Sequence, residues 1–253
     1  MEDLQKLTLP LTLPLTEPLP LPPLPLPLPL PIEWLPATGA AEQLIILLHG
    51  WADSATTMAP LAQALRAAFP QAAILVPESP LPADARKRGR QWYSIVKLDP
   101  DIWQQRVADV LPMLQAWVRA QQRRLGVGAA ATALGGFSQG GILALALALR
   151  DDGICGRVLS FGGRLVVPPQ AAPRHTTLHF FHGSEDKIIA AQHARDALAQ
   201  LGALHGDATL DIAQGVGHEL HPALIDSALH RLQNHVPLRT WQAALGAIPA
   251  LPH

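Results

Sequence analysis

Gly136-Phe137-Ser138-Gln139-Gly140 decides how this chain is read, because a serine between two glycines at this spacing is the pattern of a nucleophile elbow. The pentapeptide alone carries little weight, since such a match arises by chance in roughly one chain in ten of this length. Its flanks carry more. Ala131-Thr132-Ala133-Leu134-Gly135 reads as a short apolar strand, and residues 142–149 are dense in strong helix formers. Ser138 is therefore expected on a sharp strand-to-helix turn, in a strained backbone conformation. Gly136 and Gly140 omit the side chains that would hold strand and helix apart, and the serine hydroxyl then stands exposed above the sheet.

Outward from the elbow, strands and helices alternate. Leu44-Ile45-Ile46-Leu47-Leu48 is a continuous apolar run ended by His49-Gly50, as expected of a parallel strand buried on both faces. Residues 57–69 read as a helix and 72–76 as the next strand. Residues 77–98, rich in proline and charge, are long for a connection and read as an excursion that overhangs a site. Asp99-Pro100 supplies a capping residue and a first-turn proline for a helix that runs to about Leu125, with a kink expected at Pro112. Further strands are predicted at 157–161, 177–181 and 208–212, with helices at 191–201 and 222–235. The alternation implies an α/β fold, a mostly parallel sheet with helices on both faces and functional loops at the carboxyl ends of the strands.

At 253 residues the chain can bury one sizeable core, and a single catalytic domain is expected over residues 32–238, beginning near Ile32-Glu33-Trp34-Leu35. Residues 239–253 are read as a tail. Residues 1–31 form a Leu/Pro-rich extension ending in four Leu-Pro repeats, whose prolines exclude a helix and favour an extended polyproline conformation. Its acidic start and proline-broken leucines argue against a cleaved signal peptide. No uninterrupted apolar run approaches the ~18 residues of a membrane span, so no stable membrane insertion is expected. The formal net charge of −1 argues against nucleic acid as a partner, and Arg86-Lys87-Arg88-Gly89-Arg90 reads as a solvated loop. Cys155 is the only cysteine, which excludes an intrachain disulfide; a cytoplasmic location is the default. A monomer and a homodimer are both compatible with the sequence.

A serine hydroxyl needs a base to take its proton, and the base needs an acid to orient it. His218 lies in the glycine-rich loop Gln214-Gly215-Val216-Gly217-His218, after the last strand. Asp186 lies in His182-Gly183-Ser184-Glu185-Asp186, after the preceding strand, with Glu185 as its neighbouring rival. The chain order Ser138, Asp186, His218 is that of an α/β-hydrolase. His49-Gly50-Trp51-Ala52-Asp53 follows the first strong strand, where the backbone N–H of Trp51 is expected beside that of Gln139 as an oxyanion site.

The segments LLHGWAD, GRQWYS, GFSQGG, HGSED and GVGHEL, in this order, resemble the phospholipase/carboxylesterase family of α/β-hydrolases, which includes acyl-protein thioesterases and small bacterial serine esterases. The resemblance runs from about Ile32 to His235 and is closest to the bacterial esterase branch. Ala52 stands where the family usually carries a second glycine. The resemblance implies Ser138 as nucleophile, Asp186 as acid, His218 as base, and Trp51 and Gln139 as oxyanion donors. It also implies that Trp92-Tyr93-Ser94 is the aromatic loop beside an acyl groove, so Trp92 and Tyr93 are candidate substrate-binding residues, each equally readable as a loop anchor.

Other groups read as structural. His179 and His182 differ by an odd number in one strand and point to opposite faces, which argues against a metal shared with His175. Cys155 precedes a strand and reads as a small buried hydrophobe. Asp53 reads as a loop-stabilising carboxylate, and His49 and His182 as packing behind the site. The expected activity is cofactor-free, metal-independent hydrolysis of a small-molecule carboxylic ester or thioester through an acyl-enzyme. The competing expectations are an acyl-CoA or acyl-protein thioesterase or lysophospholipase, and a non-catalytic binding protein on a hydrolase scaffold.

Overall fold

A computed structural model describes residues 28–246 apart from 85, 87 and 98, so most of the Leu/Pro-rich extension lies outside the described residues. In chain order the elements are β1 (Ile32–Trp34), β2 (Gln43–Leu48), α1 (Ala59–Ala68), β3 (Ala72–Val76), β4 (Leu81–Pro82), β5 (Arg90–Gln91) and α2 (Pro100–Leu125). They continue with β6 (Thr132–Phe137), α3 (Gln139–Arg150), β7 (Arg157–Phe161), β8 (Thr177–Gly183), α4 (Gln192–Ala203), β9 (Ala208–Ala213), α5 (Pro222–Asn234) and α6 (Leu238–Gly246).

Seven strands form one sheet in the order β1-β3-β2-β6-β7-β8-β9, parallel throughout except for β1, which runs antiparallel on the edge beside β3. Alternation along each strand divides the core in two. Leu44, Ile46 and Leu48 of β2 face α2, α3 and α4, whereas Ile45 and Leu47 face Leu61 and Leu65 of α1 and Leu224 and Ala228 of α5. Both faces are thus covered, which is why the central strands read as unbroken apolar runs.

Local chemistry sets the helix ends. Asp99 caps α2 by accepting from Ile102 N–H at 2.8 Å, and Gly126 closes it in the left-handed region at φ 67°. α2 runs through Pro112 without a break. Proline cannot donate to the Ala108 carbonyl one turn back, and Arg150 of α3 reaches that oxygen from outside at 3.4 Å.

Two expectations are corrected. The helix expected from 57 begins as a 3₁₀ turn at Ala55–Met58 that leads into α1. Of the stretch read as a tail, residues 239–246 lie in α6, where Leu238 N–H donates to Asp207 at 3.0 Å and the Arg239 guanidinium to Thr177 at 3.2 Å; residues 247–253 lie outside the described residues. Those contacts tie the helix to the amino end of the sheet.

Candidate active site

β6 stops at Phe137 and α3 starts at Gln139, leaving Ser138 alone in the turn with φ 51° and ψ −115°. Such a conformation costs an L-residue about 1–3 kcal/mol and persists only where its surroundings impose it. Here Ser138 N–H donates to the Phe161 carbonyl at 2.8 Å, and its own carbonyl accepts from Ile142 at 3.0 Å. The two glycines are sterically required. A Cβ on Gly136 would stand 2.3 Å from the Gly140 carbonyl carbon, and one on Gly140 only 2.1 Å from the Leu48 carbonyl oxygen.

His218 reaches the site from the loop after β9 and Asp186 from the loop after β8. His218 Nδ1 donates to Asp186 Oδ2 at 2.6 Å, which leaves Nε2 with its lone pair free for a proton. Asp186 is held in turn: Oδ1 accepts from the N–H groups of Ile188 and Ile189 at 2.9 and 2.8 Å. His182 Nε2 donates to the Ile189 carbonyl at 2.6 Å and lies 3.2 Å from Asp186 Oδ2. Burial lowers the His182 pKa despite those acceptors, so it braces the carboxylate as a neutral ring. Glu185 points to solvent, and the structure brings Asp186 to the histidine. The imidazole packs on Phe137 with ring centroids 4.8 Å apart, and a Cβ on Gly162 would come within 3.1 Å of its Cε1.

The loop after β2 closes the third side. A Cβ on Gly50 would lie 3.5 Å from Ser138 Cβ, so the Gly50-Trp51 backbone runs beside the serine. Gln139 is the first residue of α3, and its N–H has no intrahelical acceptor. Its side chain is spent elsewhere: Oε1 accepts from Trp92 N–H at 2.7 Å and Nε2 donates to the Tyr93 carbonyl at 2.8 Å. The excursion after β3 therefore docks onto the elbow helix. It also grips the Trp51 loop, with Trp51 Nε1 donating to Gln91 Oε1 at 2.9 Å and Arg90 N–H to the Asp53 carbonyl at 2.8 Å. His49 lies beneath, its Nδ1 donating to the Gly50 carbonyl at 2.8 Å and its Nε2 accepting from Ser79 N–H at 3.2 Å. Burial lowers its pKa, which favours the neutral ring, and these two partners set its tautomer.

Trp51, Ser138, Gln139, His218 and Tyr93 line one cleft of about 620 Å³. Trp92 does not belong to its wall. Its indole is buried and donates to the His49 carbonyl at 3.0 Å, so it anchors the loop rather than meeting a substrate. Residues without a sequence motif complete the wall, among them Trp103 from α2, Arg164 from the loop after β7, and Ile188 and Ile189 beside the acid. Position at a strand's carboxyl end was the available signal for Arg164. His179 and His182 lie on opposite faces of β8, as alternation predicts, and their hydrogen bonds go to Thr209 and Ile189 respectively.

The chain is 36% identical over 205 residues to esterase YpfH of Escherichia coli strain K12, an alignment covering 81% of this chain and 88% of that protein. Acyl-protein thioesterase 1 of Eremothecium gossypii is 27% identical over 222 residues, covering 75% of this chain and 86% of its own. The crystal structure of esterase PE8 superposes with a TM-score of 0.76 at 27% identity, over 83% of this chain and 100% of that one. The phospholipase/carboxylesterase family model matches residues 35–236, spanning the elbow, the acid and the histidine. By that match, the chain belongs to the phospholipase/carboxylesterase family of α/β-hydrolases.

Proposed function

We propose that this chain is a serine carboxylesterase in which Ser138, His218 and Asp186 form the catalytic triad. The observation that carries the reading is the His218–Asp186 hydrogen bond of 2.6 Å, in the same cleft as a serine held at φ 51°. His218 Nε2 takes the Ser138 proton as Oγ bonds to the acyl carbon, and the carbonyl π pair moves onto oxygen. The N–H groups of Trp51 and Gln139 receive that oxyanion; one such donor is worth about 3–4 kcal/mol of barrier. Collapse of the intermediate breaks the bond to the leaving oxygen, which takes the proton from His218. Water then adds by the same route, releasing the acid and restoring Ser138. A thioester follows the same path with sulfur leaving, and the relative named an acyl-protein thioesterase keeps that substrate class in view.

The test is Ser138→Ala. Turnover of an activated ester falls roughly 10⁴- to 10⁶-fold, and a fluorophosphonate probe that labels the parent no longer labels the variant. Full turnover in Ser138→Ala, or a folded parent that the probe ignores, would leave a non-catalytic hydrolase scaffold as the reading.

A further inference from the structure

Arg164 places a positive charge in the cleft, and among the described residues that line it none is a carboxylate. The loop that delivers it is shaped for the purpose. Phe161 ends β7, Gly162 passes beneath the His218 ring at φ 57°, and a Cβ on Gly163 would sit 3.0 Å from the Gly141 carbonyl carbon of α3. Two glycines in succession let the chain hug the imidazole and the elbow helix, and the next side chain enters the cleft.

Its orientation is fixed by a stack. The guanidinium lies 4.1 Å over the Trp103 ring, and Trp103 Nε1 donates to the Tyr93 hydroxyl at 3.2 Å. Tyr93 is in turn tied through its carbonyl to Gln139. A stacked guanidinium occupies its flat face and keeps its N–H donors at the edge, the geometry that receives a carboxylate in bidentate fashion. The titratable side chains that share the described lining of the cleft with Arg164 are Tyr93, His193 and His218. Asp196 of α4 lines an adjoining groove together with Arg164, and its carboxylate accepts from Gln192 Nε2 at 2.7 Å. A partly desolvated charge of this kind gains most from an anion that arrives with the ligand.

We propose that Arg164 makes this cleft selective for esters that carry a carboxylate, whose oxygens pair with the guanidinium edge while Ser138 attacks the ester carbonyl. The inference rests on the esterase reading and adds the substrate class to it. The carboxylate can sit on the acyl side or on the leaving side of the scissile bond, and two matched pairs of substrates separate these. One pair is the 4-nitrophenyl monoester of glutaric acid against its methyl-capped counterpart; the other is the butyrate ester of 3-hydroxybenzoate against that of methyl 3-hydroxybenzoate.

The experiment measures kcat/KM of the full chain on both pairs, for the parent, Arg164→Met and Arg164→Lys. The parent is expected to favour the anionic member of one pair, which identifies the side. Arg164→Met, which keeps the stem over Trp103, lowers that ratio roughly 10- to 100-fold, and Arg164→Lys retains part of it. The ratio also falls as salt is raised. A parent with no anionic preference in either pair, or a preference that survives Arg164→Met, overturns the proposal. If neither pair is hydrolysed and the fluorophosphonate fails to label Ser138, the esterase reading fails separately. The anion site is then judged by glutarate binding, read as a change in tryptophan fluorescence: loss of binding in Arg164→Met supports it, and equal or absent binding in parent and variant overturns it.

Discussion

Two corners of this molecule bring together a hydroxyl, an imidazole and a carboxylate, at opposite ends of the same sheet. At the carboxyl end, Ser138 shares a cleft with His218, bonded to Asp186 at 2.6 Å. At the amino end, His235 Nε2 meets Asp207 Oδ1 at 3.1 Å, and the Thr177 hydroxyl donates to Asp207 Oδ2 at 2.6 Å. The residue types match, but the wiring differs. The Thr177 hydroxyl gives its proton straight to the carboxylate and accepts from both Arg157 and Arg239, so it has no free lone pair or base. Ser138 instead stands at the start of α3, where helix N–H groups converge. Burial alone would raise the Asp207 pKa, but the hydrogen bonds from Thr177, Leu238 N–H and His235 outweigh it and hold it below the ordinary value. The amino-end cluster therefore clamps α5 and α6 to the sheet, whereas the carboxyl-end cluster leaves one imidazole nitrogen and one hydroxyl unspent.

The strongest way to break this contrast is to remove each histidine. His218→Ala is expected to lower kcat/KM on an activated ester by roughly 10⁴- to 10⁶-fold with little change in stability. His235→Ala is expected to leave kcat/KM within about twofold and to lower unfolding free energy by about 1–2 kcal/mol, through the lost bond to Asp207. Steady-state kinetics and urea unfolding on both variants read the two outcomes. Comparable losses of turnover would show that the amino-end pair reaches the chemistry.

A second, smaller effect sharpens the contrast through pH. Burial first, then the charges of Arg157 and His235, push the His179 pKa down from 6.5 to about 3. Between those values the unfolded chain binds a proton that the folded one refuses, so stability rises with pH in that window. The stabilisation is complete above about pH 6.5 and is lost as pH falls toward 3, by up to about 1.4 kcal/mol per pH unit. Burial also lowers His49 and His182, which add slopes of the same sign. His179→Leu should flatten the stability profile between about pH 6 and pH 4 while costing about 1 kcal/mol at neutral pH, where Thr209 loses its partner. An unchanged slope in urea unfolding across that range would show that His179 is not a buried neutral group.

What the sequence revealed follows the range of the interaction involved. Strands Ala72–Val76 and Arg157–Phe161 have the predicted bounds, because burial of a central strand is written into consecutive residues. The elbow was legible for the same reason, since its glycines, serine and helix are contiguous. Trp92 was not, because its role is set by the His49 carbonyl and the Gln139 amide, both remote in sequence. The Arg164–Trp103 stack joins two segments that no local pattern links, and α6 depends on contacts with Asp207 and Thr177 from other elements. Asp186 and Glu185 are adjacent letters that the family resemblance told apart, and the turn that buries one and exposes the other gives the physical reason.

The smallest expected effect concerns backbone strain, which Ser138 and Ala52 carry in adjoining loops at the carboxyl end. Ser138 at φ 51° is imposed by the elbow, and Ala52 at φ 58° lies in the loop beside it. At Ala52 the Cβ has no catalytic task, and the left-handed backbone costs an alanine about 1 kcal/mol that glycine avoids. Ala52→Gly should therefore raise unfolding free energy by about 1 kcal/mol, and Ala52→Val should lower it by more than that, because a β-branched side chain tolerates this region least. Neither change alters the hydrogen bonds from Arg90 N–H to the Asp53 carbonyl and from Trp51 Nε1 to Gln91 that hold the loop. For Ala52→Gly, kcat/KM is accordingly expected to stay within about threefold. Urea unfolding and ester kinetics on the pair test this: a glycine variant that gains no stability and loses tenfold or more in turnover would mean that the alanine methyl itself holds the Trp51 N–H in place.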